Sequence, residues 1–166
     1  MAIESEVFSQ TVKHKGYFNY SDFYSYCYDW LKDEGFEVAE EEYVEKLSDF
    51  GKEILITWKI KRKVSDYVKF IGSISWHILG LSGAEVMIDG KKTKTNKGEL
   101  KLKINASLEK DYDSKWDASP FLKMLRGIYD RYIIRATIKL YEDRWESKIS
   151  SFVEDVKAYL NLEGRK

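Results

Sequence analysis

The side chains able to do covalent or metal chemistry are few and scattered. Cys27 is the single cysteine, and His14 and His77 are the two histidines. Neither an internal disulfide nor the four-ligand set of a structural zinc site can be built from them. Asp111, Asp113 and Asp117 bring carboxylates close in sequence. Paired carboxylates do acid–base work when a scaffold fixes their separation, and this stretch reads as loop. The run Leu79-Gly80-Leu81-Ser82-Gly83 lacks both the spacing of a phosphate loop and the helix that must follow one. No nucleophile elbow is present either. The expectation is a chain with no catalytic residue, no metal and no cofactor, more a binder than an enzyme.

Groups suited to binding are more plentiful. The chain has 12 tyrosines, 8 phenylalanines and 5 tryptophans. Trp58 and Trp76 fall on the apolar parity of neighbouring strand-like segments. With Ile104 and Trp145 they line a cavity for an apolar ligand, or they fill a close-packed core, which is the commoner use of inward aromatics. Tyr20, Tyr24 and Tyr28 form an i, i+4 ladder, and tyrosine suits positions where one end is packed and the other wet. A protein interface and support against a sheet are both open. Lys91, Lys92, Lys94 and Lys97 make one basic cluster, and Lys59, Lys61, Arg62 and Lys63 a second. Each could meet phosphate or an acidic partner, although lysines at hairpin tips also serve to keep sheet edges apart. The 28 basic and 28 acidic residues balance, so nucleic acid is not an expected partner of the molecule as a whole.

These groups must be positioned by elements whose periods are legible. Ile134, Ile138, Tyr141, Trp145, Ile149, Phe152, Val156 and Leu160 recur at helical spacing, which predicts one long amphipathic helix ending at Gly164. A shorter helix is expected over 22–34, with Ser21 as N-cap and Gly35 as its stop. A third opens at Ser119 and Pro120 and shares a face among Phe121, Leu125, Ile128, Tyr129 and Tyr132. Between them lie strand-like stretches: 6–14, a bulged acidic edge strand over 36–47, then 52–64 and 68–78. Gly80 and Gly83 then break the pattern, and 85–88 turns at Asp89-Gly90 into 91–95. Asn96-Lys97-Gly98 marks a further turn before Leu100, Leu102, Ile104, Ala106 and Leu108 alternate strictly with polar residues. The fold class is therefore α+β, as a single domain over 1–166. A curved antiparallel sheet of about five to seven strands packs on the long C-terminal helix, with shorter flanking helices.

The first residues carry Glu4 and Glu6 without a basic or apolar leader, and no uncharged run is long enough to span a bilayer as a helix. With its lone cysteine the chain is expected in the cytoplasm. The order of elements, strand, helix, a run of strands and a final helix, resembles the helix-grip arrangement of START-like lipid-binding domains, in which the last helix closes over a curved sheet. That resemblance implies a hydrophobic ligand between sheet and helix. The segments Tyr28-Asp29-Trp30-Leu31-Lys32-Asp33-Glu34-Gly35 and Ile88-Asp89-Gly90-Lys91 resemble segments of uncharacterised small archaeal proteins, which implies no activity. Two functional expectations result. One is a non-catalytic binding or assembly module that contacts protein, or a second copy of itself, through aromatic and sheet-edge surface. The other is a carrier or sensor of an apolar small molecule held in a cavity between sheet and helix.

Overall fold

The computed structural model describes residues 3–110, 119–128 and 135–164. The elements run β1 (Ile3–Phe18), α1 (Tyr20–Asp33), β2 (Glu37–Ser48), β3 (Gly51–Lys63), β4 (Val68–Ile88), β5 (Lys91–Lys110), α2 (Pro120–Ile128) and α3 (Arg135–Gly164). The strands form one antiparallel sheet in the order β1-β5-β4-β3-β2. The meander β2 to β5 is thus completed by the first strand, which lies beside the last. This is the α+β sheet with a long C-terminal helix and shorter flanking helices that the sequence predicts.

Alternation decides which face is buried. Ile54, Ile56, Trp58 and Ile60 of β3, Phe70, Ile74, Trp76 and Ile78 of β4, and Leu100 through Leu108 at alternate positions of β5 all turn inward and are buried. On them lies the apolar stripe of α3, with Ile138, Trp145, Ile149, Phe152, Val153, Val156 and Leu160 buried. Tyr141 is half-buried and packs at the margin of this cluster, while Ile134 falls outside the described residues. The inward face of α1, Phe23, Cys27 and Leu31, is buried beside α3. The two helices are tied by Lys148 Nζ to Glu34 Oε2 at 2.6 Å, by Trp30 Nε1 donating to Asp155 Oδ2 at 2.9 Å, and by the stacked rings of Tyr26 and Tyr159, 4.6 Å apart.

Three boundaries differ from the sequence expectation. The cap of α1 is Asn19, not Ser21: its side chain accepts from Asp22 N at 3.0 Å, so the helix starts two residues earlier than the predicted Asp22. Gly35 stops it as expected, at φ +87°, with Gly35 N donating to Lys32 O and Phe36 N to Leu31 O. Second, β4 and β5 are continuous where the glycines predict breaks. The register slips between Leu79 and Ser82, a bulge that Gly80 absorbs at φ +64°. Third, Asn96, Lys97 and Gly98 pair with β1, and Asn96 and Lys97 also with β4, instead of turning. A Cβ on Gly98 would lie 3.0 Å from Leu79 O, so glycine here permits close backbone approach and is not a strand end. The Asp89-Gly90 turn, at φ 51° and 80°, has the left-handed pair of a type I′ hairpin. β2 is the edge strand predicted, bulged between Glu40 and Glu42.

Ser119 caps α2, its Oγ accepting from Leu122 N at 3.2 Å. Tyr129 and Tyr132, expected on this helix, lie outside the described residues, as do Asp111, Asp113 and Asp117. No helix among the described residues is long and apolar enough to cross a membrane.

Candidate functional site

The rings expected to line an internal cavity are core residues. Trp58, Trp76, Ile104 and Trp145 are all buried to 1% exposure or less. Trp58 and Trp76 meet edge to face at 5.0 Å beneath α1, where Tyr24 reaches Trp58 at 5.0 Å and Phe23 reaches Trp76 at 5.3 Å. Trp145 instead stacks on Phe70 at 5.2 Å and on Phe36 at 5.0 Å under α3. Its Nε1 donates to Ile71 O at 3.1 Å and Ser107 O at 2.9 Å. The helix is thereby pinned to two adjacent strands. Trp58 Nε1 and Trp76 Nε1 are both buried; Trp58 has the Tyr24 hydroxyl beside it, and Trp76 has no acceptor among the described residues.

The tyrosine ladder leans on the sheet. Tyr20 Oη lies 2.9 Å from Tyr43 Oη of β2, and its hydroxyl is driven upward from the ordinary tyrosine range by burial first and by Tyr43 second. Tyr24, packed against Trp58, is also raised, by burial and then by the Glu40 carboxylate. Tyr28 keeps ring contact with Trp58 at 6.2 Å and is the most exposed of the three at 37%. Cys27 is fully buried, and burial lifts its thiol far above the usual value, which leaves it a packing residue. Among the described residues no three His, Cys, Asp or Glu side chains converge as a metal site requires.

Room for a ligand lies on the opposite side of the sheet, which neither α1 nor α3 covers. The outward alternation of five long strands sets its side chains in register. One row reads Thr11, Lys103, Ser75 and Thr57, and the next Lys13, Lys101, His77 and Leu55. A cleft of about 270 Å³ is lined by Thr57, Ser75, His77, Lys101 and Lys103. It adjoins one of about 460 Å³ that shares His77 and Lys101 and adds Lys13, Lys15, Leu79 and Glu99. That in turn adjoins one of about 410 Å³ sharing Lys15, Leu79 and Glu99 and reaching Phe50, Gly16, Gly80 and Gly98. Sharing these residues they form one trough, with Lys101 and Lys103 at one end and Phe50, 88% exposed on the β2–β3 turn, at the other.

The charges along the trough are unevenly matched. Glu53 Oε1 is 3.1 Å from His77 Nε2, and Glu99 Oε1 is 3.3 Å from Lys15 Nζ. Lys13, Lys101 and Lys103 have no carboxylate partner among the described residues. A larger cleft of about 620 Å³ at the other end is lined by Lys59, Lys61, Ser73, Asn105 and Glu109 among others, and there Lys61 Nζ meets Glu37 Oε2 at 3.5 Å. The sequence reading missed the trough because its lysines come from β1 and β5, some ninety residues apart. Only strand order and register bring them together. The lysine-rich hairpin of Lys91, Lys92 and Lys94 projects from the tip of the sheet and takes no part in it.

No protein-family model matches the chain, no curated protein is significantly similar to it, and no solved structure matches its fold.

Proposed function

We propose that the protein is a non-catalytic binding module that contacts another protein through the open face of its sheet. The observation carrying this reading is the division of the molecule into a side whose buried rings lie under two helices and a side that holds a trough. A partner must meet side chains that are rigidly spaced and already desolvated of nothing but water, and a twisted sheet supplies such spacing at low cost in loop ordering. Self-association is one form of the same reading.

The test is photo-cross-linking from two positions. A photoreactive residue at Ser75, centred on the open face, is compared with one at Ser147, exposed on α3. The reading expects a discrete protein adduct from Ser75 and none from Ser147. Adducts from Ser147 alone, or from neither, contradict it.

A second reading is favoured by the buried indole N–H of Trp76, which has no acceptor among the described residues. Buried donors of this kind want an acceptor, and a small apolar ligand with one polar oxygen supplies it. The first strand lies beside the last, and α3 packs on both. Native mass spectrometry of the purified protein distinguishes the two: a bound mass supports the carrier, and the bare chain mass removes it.

A further inference from the structure

The occupant of the trough can be narrowed from its charges and their spacing. Lys13 and Lys101 stand directly opposite each other in the β1–β5 register, and Lys103 follows Lys101 on the same face. Like charges directly opposite on a sheet are destabilising, and a fold selected for stability alone would place a carboxylate or hydroxyl at one of them. Glu53 is engaged with His77 and Glu99 with Lys15, and Glu42, which lines the same cleft, sits across Thr57 and Ser75 at the far end of the Lys103 row. The cationic cluster is thus left for an anion from outside.

Its geometry is that of a strand. Lys101 and Lys103 are two residues apart on β5, about 7 Å along the sheet, which is also the repeat of alternate side chains in an extended peptide. Farther along the same trough the lining turns apolar, at Leu79 and the exposed ring of Phe50. Neither row of the cluster carries a tyrosine, phenylalanine or tryptophan on which a nucleic-acid base could stack. Resting on the protein-binding reading above, we infer that the trough accepts an extended acidic peptide segment of a partner protein, with one carboxylate on Lys103, the next alternate one on the Lys101–Lys13 pair, and an apolar anchor against Leu79 and Phe50. Thr57 and Ser75, beside the lysines, supply hydroxyls to the carboxylate oxygens and to the peptide edge.

The experiment uses a fluorescein-labelled peptide with glutamates at alternate positions followed by one phenylalanine, measured by anisotropy against the full chain. Binding is expected, weakening steadily with added salt. Replacing the glutamates by glutamine, or Lys101→Glu with Lys103→Glu in the protein, is expected to weaken it at least roughly tenfold. Phe50→Ser weakens it without altering the salt slope. The single change Lys101→Thr is expected to lose affinity while raising the urea midpoint, since it relieves the repulsion from Lys13, and a gain in stability excludes misfolding as the cause of the loss. Indifference to the charge reversal, tighter binding of an oligothymidylate of equal charge, or Lys101→Thr lowering both affinity and stability overturns the inference. An adduct at Ser75 combined with indifference to the lysine changes leaves the binding face standing and removes the acidic segment. Absence of the adduct removes both.

Discussion

At the scale of single residues, Trp145 does the most to fix the architecture. It is fully buried, stacked between two rings, and its N–H is shared by carbonyls of β4 and β5. Trp145→Phe keeps the stacking but strands those contacts, and it is expected to cost about 1–3 kcal/mol, read as a lower urea midpoint with unchanged slope. Gly72 is a second such point. A Cβ there would lie 2.7 Å from Asn105 O, so Gly72→Ala must push β4 from β5 and destabilise the fold. Gly127→Ala, where nothing stands within 4 Å, is expected to stabilise α2 by up to about 1 kcal/mol. Tyr159 offers a pH test. Burial first, and Glu163 second, push its hydroxyl up to about 12 from an ordinary 10. The folded state therefore holds this proton more tightly than the unfolded chain, a contribution fully present below pH 10 and lost as pH rises through 12. A phenolate titration followed by absorbance is expected to show a late group of tyrosines, Tyr159 and Tyr20 among them, that ionise together with loss of far-ultraviolet helix signal. Independent, early titration of all tyrosines would contradict this.

At the scale of elements, periodicity made most of the fold legible and register made the rest invisible. The stripe of α3 and the strict alternation over Leu100 to Leu108 needed no tertiary information, because a helix and a strand each declare their buried face by their own period. The glycines near residue 80 and at 98 were misleading. The same residue type ends a strand, absorbs a bulge or admits a neighbouring backbone, and only the partner strand tells which. Ser21 and Asn19 are equally good caps on paper. In the structure β1 ends at the fully buried Phe18 and Asn19, the next residue, takes the cap. Asn19→Ala is expected to cost about 1 kcal/mol through the lost bond to Asp22 N, with Ser21→Ala close to neutral; equal losses at the two positions would mean that the helix starts later. The candidate site belonged to neither period. Trp58 and Trp76 drew attention inward because aromatic rings are conspicuous in a sequence, whereas Lys13, Lys101 and Lys103 look like ordinary solvated lysines until strand order sets them side by side.

At the scale of the molecule, the account is one of two unequal faces. Polar and apolar residues alternate along β3, the first half of β4 and the second half of β5, so this part of the sheet has one face to cover, and both packed helices lie on it. What remains open is a rigid, register-spaced surface with charge left unmatched. The most direct test is thiol accessibility of a Ser75→Cys protein, in which native Cys27 serves as the buried internal control. The account expects one thiol to react with a chromogenic disulfide as fast as an exposed model thiol, and Cys27 to react only after denaturant is added. A slow thiol at position 75, or a fast one at Cys27 in the folded protein, would contradict the division of the molecule into a sealed side and an open one.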